Sequence, residues 1–330
     1  MMKNKGTAIV CAAIVLCFCL GWFFKYEQDK NLVPQTMQIR NSLPEYQFIR
    51  PLILVDNSNV TYPELDDLKK IINAHISQAK QTLKVEDVSV YYRDMVTGKW
   101  TGINENDLYA PSSMLKVGIL MAYLKAAVTN PDVLNQMLSY APTDDSGQFF
   151  KPNQLSAGKY SVKDLLVQMI EQSDNDAVTA LNNANPQELV DVFNTLGIPY
   201  PNNNTPKNFM SPEIYSRVFR SLYNATYLPD VYSEEAFKLL TLTSFNQGLV
   251  SGVSTSTVVA HKFGEQTNTT ASGAVVDREL HDCGIVYYPD HPYFLCVMTK
   301  GQDFPTLANV IGNISESVFD YVTSINTSKK

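Results

Sequence analysis

Three short groups of residues in this sequence could do chemistry together. Ser113-Met-Leu-Lys116 puts a hydroxyl and an amine one helical turn apart, on the same face. Pro111 stands just before it, which suits the start of a helix. A Ser at that place gains from the positive end of the helix dipole as its oxygen develops charge. A Lys whose pKa is lowered by burial can take the Ser proton. The second group is Ser173-Asp174-Asn175, and the third is Lys262-Phe263-Gly264. Together they suggest chemistry with a serine nucleophile served by lysine. The first group is weak evidence alone, because Ser77 with Lys80 and Ser156 with Lys159 share its spacing. Ser77, however, falls in mid-helix and Ser156 in a loop with Gly158. The signal is the ordered triplet, each member in a helix or strand context.

Those contexts can be read from periodicity. Thr61-Tyr-Pro-Glu64 reads as a capping box, followed by Leu65, Leu68, Ile72, Ile76 and Ala79 at helical spacing. Val88 to Tyr92 is strand-like, and Met95 to Gly98 reads as a hairpin turn into Trp100. A helix is expected from near Ser113 through Ala127. Ser161-Val-Lys-Asp164 resembles a second cap signal, ahead of Leu165, Leu166, Met169 and Ile170. Gln187 to Leu196 and Pro212 to Leu222 read as helices. Strands return at Thr257 to Phe263, Gly284 to Tyr288 and Tyr293 to Thr299, and Leu307 to Tyr321 forms a closing amphipathic helix. This order predicts an α+β sheet domain interrupted by a helical insertion at about residues 117–250.

Composition narrows the classes. The chain has 330 residues, 45% of them hydrophobic and only 18% charged, which excludes a disordered chain. A net charge of −7 argues against a nucleic-acid partner. Five Cys exclude a disulfide scaffold. His75, His261, His281 and His291 are scattered, so no metal and no other cofactor is expected. A solvent-facing His261 is favoured over a catalytic one. Phe149, Phe150 and Tyr160 line a cleft or fill core, with core favoured. Cys283 and Cys296 flank the late hairpin, either paired in an oxidising compartment or as two buried thiols.

With these motifs in view, residues from about 61 to 324 resemble the class A β-lactamases and the related penicillin-binding proteins, which carry S-x-x-K, S-D-N and K-T-G. The resemblance implies a five-stranded antiparallel sheet flanked by helices, with an inserted helical subdomain. It implies a hydrolase working through an acyl-enzyme on Ser113, with Lys116 as base or as the group that positions it. Ser173 would pass a proton to the leaving nitrogen, and Lys262 would add positive potential. Asn175, Gly264 and Glu265 would contact substrate. Asp174 and Phe263 would be structural neighbours. The backbone N–H groups of Ser113 and Glu265 would form the oxyanion hole. The substrate would be a β-lactam or a cell-wall D-alanyl peptide or amide, handled by a monomeric domain.

Three departures from the pattern bear on function. The stretch Gly197 to Asn208 carries no acid, where class A enzymes place the Glu that activates the deacylating water. Glu213 is expected in the first turn of the next helix instead. Phe263 replaces a hydroxyl that helps to bind a substrate carboxylate, and Glu265 adds a negative charge nearby. Glu265 either points to solvent or opposes an incoming anion. Cys283 stands where some relatives place an Arg, and Arg278 is a candidate replacement. Fast β-lactam hydrolysis is therefore not expected. The alternative is a catalytically idle member that binds cell wall or a protein.

Thr7 to Phe24 is uncharged, with Lys3 and Lys5 before it and Lys25 after. It reads as an uncleaved signal anchor, residues 1–30, holding the remainder outside the cytoplasm at the membrane. A cleaved signal peptide is the other reading. Cys11, Cys17 and Cys19 lie within it. Residues 31–60 read as a stalk in which Phe48 to Val55 docks on the domain as an edge element, since Pro51 is tolerated only at edges. Residues 61–330 then form the catalytic domain.

Overall fold

The computed structural model describes residues 38–40, 45–55, 62–83, 85–143, 148–183 and 187–327. The proposed membrane anchor, with its three Cys, lies outside these residues, as does most of the proposed stalk.

Five antiparallel strands make the central sheet: β3 (Asp87–Asp94), β4 (Trp100–Ile103), β7 (Val259–Thr269), β8 (Val275–Val286) and β9 (Tyr293–Gly301). Their order is β4-β3-β9-β8-β7. Both faces of β9 are buried, because Tyr293, Leu295 and Val297 join one core while Phe294, Cys296 and Met298 join another. An uninterrupted apolar run is what a strand covered on both faces requires. On the first face pack α1 (Asp66–Thr82) and the closing helix α8 (Phe304–Thr327), through Leu68, Ile72, Leu307 and Ile311. The chain between β4 and β7 covers the second face. It contains helices α2 (Lys116–Thr129), α3 (Val162–Glu171), α4 (Asn175–Asn182), α5 (Gln187–Leu196), α6 (Pro212–Tyr223) and α7 (Asp230–Leu240). The fold is thus α+β, as the order of elements predicted, with the five-stranded antiparallel sheet flanked by helices that the resemblance implied.

Among the described residues, Ser112–Thr129 is the one helical stretch long and apolar enough to cross a bilayer. It is mostly buried inside the domain, which is the behaviour of a core helix.

Several local expectations need correction. The helix after Tyr62 starts with a 3-10 turn at Pro63–Leu65 and no side-chain cap; Thr61 is outside the described residues. Strand β8 is longer than expected, beginning at Val275 rather than Gly284. The added part carries Asp277, Glu279, His281 and Asp282, all buried. Helix α7 and a two-stranded pair, β5 (Met137–Tyr140) with β6 (Gly158–Ser161), were not anticipated. The cap at Ser161 is a full capping box with Asp164.

The segment before α1 docks differently from the edge strand expected. Leu52–Val55 (β2) pairs with Gln38–Arg40 (β1), not with the central sheet. Phe48 and Ile49 instead enter the core of the helical layer. Their backbone is held by Glu234, whose carboxylate accepts the N–H groups of Gln47 at 2.8 Å and Phe48 at 2.7 Å. Cys283 and Cys296 face each other across β8 and β9 and are joined in a disulfide, which settles the alternative between paired and free thiols.

Candidate active site

Ser113 lies in a 3-10 turn, Ser112–Leu115, that leads directly into α2. The turn is tied down from three sides. Glu279 accepts the N–H of Ala110 at 3.0 Å, Tyr215 donates to the carbonyl of Met114 at 3.0 Å, and strand β7 passes close at Gly264. A Cβ on Gly264 would stand 2.7 Å from the carbonyl oxygen of Pro111 and 3.0 Å from Cγ of Met114. Only a residue without a side chain lets the strand approach the turn so closely. Ser112 has φ 48° and Ser173 has φ 54°. Left-handed backbone at non-glycine residues costs of order 1–3 kcal/mol and concentrates at functional sites.

Lys116 is the first residue of α2 and is buried. Its ammonium donates to the carbonyl and, at 3.2 Å, the hydroxyl of Ser173, and to Oδ1 of Asn175 at 2.8 Å. Lys262, fully buried on β7, donates to the same Ser173 hydroxyl at 2.9 Å and to the Phe263 carbonyl at 3.1 Å. Two amines therefore converge on one hydroxyl. Burial, and then the positive charge of Lys116, hold the Lys262 pKa well below the usual lysine value, with Asp282 and Glu265 opposing. Ser113, Lys116 and Asn175 line one cleft of about 350 Å³ with Glu265, Gln266 and the apolar Phe193.

Asp174 is fully buried and caps α4 by accepting the N–H groups of Asp176 at 2.8 Å and Ala177 at 3.1 Å. Tyr140 at 2.7 Å and Gln168 at 2.9 Å donate to its other oxygen. These bonds fix the corner between α3 and α4 on which Ser173 and Asn175 sit.

Glu265 does not point freely into solvent. Its carboxylate is half-buried and accepts the backbone N–H of Phe149 at 2.7 Å and of Phe150 at 3.0 Å. Burial raises its pKa above the usual carboxylate value, against these two hydrogen bonds and the nearby lysines. Phe263 is core: its ring stacks on Phe245 at 4.3 Å and meets Phe150 at 5.0 Å. Phe149 stacks on Phe304, and both aromatics before Lys151 are partly buried against the core, outside the cleft lining.

Two residues weighed for the site lie outside it, Glu213 where the sequence placed it. Arg278 reaches the Gln302 carbonyl and the face of Phe304, so it does not replace the missing arginine. Glu213 occupies the first turn of α6 and pairs with Arg217 at 3.0 Å, outside the cleft lining.

His261 is neither solvent-facing nor in the cleft. It is buried, and its Nδ1 lies 2.8 Å from Asp282 Oδ1. The other oxygen of Asp282 accepts the N–H of Leu249 at 2.8 Å. Glu279 and His281 form a second buried pair, 3.4 Å apart. Sequence reasoning missed both pairs. The available signal was the run of charges in β8, which only strand pairing could show to be buried.

Among the described residues no group of three or more His, Cys, Asp or Glu could hold a metal ion. The side chains gathered at and beside the cleft offer hydroxyls, amines and an amide on an α+β sheet fold. Residues 67–322 match the model of the β-lactamase enzyme family, and the chain belongs to that family. No curated protein sequence matches it. Among solved structures, PBP-A is similar with TM-score 0.64 and 20% identity, over 79% of this chain and 97% of that one. A mutant of PBP-A, solved as an acyl-enzyme complex with penicillin G, matches equally well. A class A β-lactamase from Bacteroides cellulosilyticus is similar with TM-score 0.63 and 20% identity, over 78% of this chain and 99% of that one. Likeness at these identities concerns the fold.

Proposed function

We propose that the protein is a serine hydrolase or acyl transferase that works through an acyl-enzyme on Ser113. The observation that carries this reading is the convergence of Lys116 and Lys262 on the Ser173 hydroxyl beside the cleft that holds Ser113. Ser113 attacks the acyl carbon, and its proton passes to Lys116 or to a base that Lys116 positions. Ser173 hands a proton to the leaving nitrogen, since its hydroxyl reaches both amines. The N–H groups of Ser113 and Glu265 receive the developing oxyanion, across the close approach that Gly264 permits. Asn175 holds a substrate amide. The substrate class is a β-lactam or a cell-wall D-alanyl peptide or amide. Fast β-lactam turnover is not part of the proposal, because residues 197–208 supply no acid. An N-terminal anchor would place this domain at the outer face of a membrane.

The test is intact-mass measurement after incubation with penicillin and, separately, with an activated acyl ester. An adduct on Ser113 is expected from at least one. No adduct from either at saturation overturns the reading. The same missing acid favours a second reading, a member of this fold that binds cell wall or protein without turnover. Ester turnover that is abolished by Ser113→Ala would exclude it.

A further inference from the structure

Glu265 is the one carboxylate among the described residues that line the Ser113 cleft. It is held in place. Its two oxygens each accept one backbone N–H, from Phe149 and Phe150. Those residues are themselves pinned, Phe149 against Phe304 at 5.1 Å and Phe150 against Phe263 at 5.0 Å. The carboxylate therefore cannot swing away when a ligand enters. An ionised carboxylate only accepts hydrogen bonds, and each of these oxygens retains a free lone pair.

Burial, and then the Lys116 charge, hold the Lys262 pKa well below the usual lysine value. Lys262 is also enclosed, bonded to Ser173 and the Phe263 carbonyl, with its ammonium 4.0 Å above the Phe263 ring. Arg278 is turned to Gln302. Among the described residues, the cleft lining thus sets a single cation, Lys116, against a fixed acceptor, Glu265.

We propose that Glu265 determines specificity in this cleft, excluding ligands that carry a carboxylate at that wall and favouring those that present an uncharged N–H donor, a carboxamide. The proposal rests on the Ser113 reading for the reacting end of the substrate. Charge selection at the wall can be tested apart from it.

The experiment measures binding to the Ser113→Ala protein by calorimetry, using benzylpenicillin and its carboxamide as a matched pair. The carboxamide is expected to bind at least about tenfold more tightly, since a like charge at the wall disfavours the acid. Adding Glu265→Gln brings the two affinities within about a factor of two, and Glu265→Ala, which removes the carboxylate without adding a donor, does the same. Thermal melts establish that both variants fold. Equal affinities in the Ser113→Ala protein, tighter binding of the carboxylate, no binding of the carboxamide, or a preference that survives both substitutions overturns the proposal. Incubating the unmodified protein with the same pair and weighing it tests the Ser113 reading by itself. Missing adducts there and with the activated ester sink acylation, while the affinity ratio still decides the role of Glu265.

Discussion

Lys262 and Ser173 lie 89 positions apart in the chain and meet with 2.9 Å between Nζ and Oγ. Lys116 reaches the same hydroxyl from the other side at 3.2 Å. A hydroxyl shared by two amines is a route for a proton. Replacing it should damage proton transfer while leaving the fold in place, because Lys116 keeps its bonds to the Ser173 carbonyl and to Asn175. Ser173→Ala is therefore expected to slow acylation of Ser113 by about 10²-fold or more, the usual scale for a lost general acid or base. Its stability should change by only about 1 kcal/mol. Stopped-flow acylation with an activated ester and a denaturant melt measure the two quantities. An acylation rate within a few-fold of the unmodified protein would remove Ser173 from the mechanism.

Burial of Lys262 also has a thermodynamic signature. Its pKa in the folded protein is well below the value of 10.5 it takes when exposed, chiefly through desolvation. Between those two values the unfolded chain binds more protons than the folded one. Stability attributable to this group consequently rises with pH across that window and is lowest below it. Lys262→Met removes the desolvation cost and should raise the melting temperature most at the acidic end of the window. The gain should shrink as pH climbs toward 10.5. Melts of both proteins across this range provide the check. A difference that stays constant with pH would mean that Lys262 keeps its proton in the fold. The same substitution should slow acylation.

The helix and strand pattern, and with it the fold, was legible because the apolar residues of α1, α3 and α8 recur at helical spacing. The first two motifs were legible because each sits at an element boundary, while Lys262 to Gly264 lies within β7 and gained its value from their company. Other features depend on contacts between distant segments. Asp282 falls before the strand expected from Gly284, and only strand pairing sets it, buried, beside His261. Glu265 looked solvent-facing or repulsive, and nothing local shows that Phe149 and Phe150, 116 and 115 positions away, donate to it. Periodicity reports which face a residue uses, but not what another segment brings to that face.

Gly264 offers a prediction in which activity and stability should separate. The atom nearest to an added methyl group is a backbone oxygen, that of Pro111, so no side-chain rotation can make room. Strand β7 must move away from the Ser113 turn. Overpacking of this kind costs about 1–3 kcal/mol. The displacement also carries the Glu265 N–H away from the position of the developing oxyanion, where losing one donor costs about 10²–10³-fold. Gly264→Ala is expected to show that loss in acylation rate at temperatures where it remains folded. A variant as active as the original protein would argue that this backbone donor takes no part.

The segment before α1 yields the last prediction, which concerns where the domain begins. Taking residue 61 as the start would discard Phe48 and Ile49, which sit in the core of the helical layer, and would strand a buried acid. Glu234 is 2% exposed and accepts both the Gln47 and Phe48 N–H groups. Tyr287 donates to the Phe48 carbonyl at 3.0 Å, and the Arg50 N–H to the Tyr223 carbonyl at 3.0 Å. Ile49→Ala should cost about 2–5 kcal/mol as a buried aliphatic truncation. Glu234→Gln should cost about 1–3 kcal/mol, because its amide turns a donor toward a backbone donor. None of these residues lines the Ser113 cleft, so activity per folded molecule should be preserved. A chain starting at residue 62 should be less stable than one starting at residue 38, which keeps the docked segment. Equal denaturation midpoints for those two chains would show that the segment adds nothing, and would return the domain boundary to residue 61.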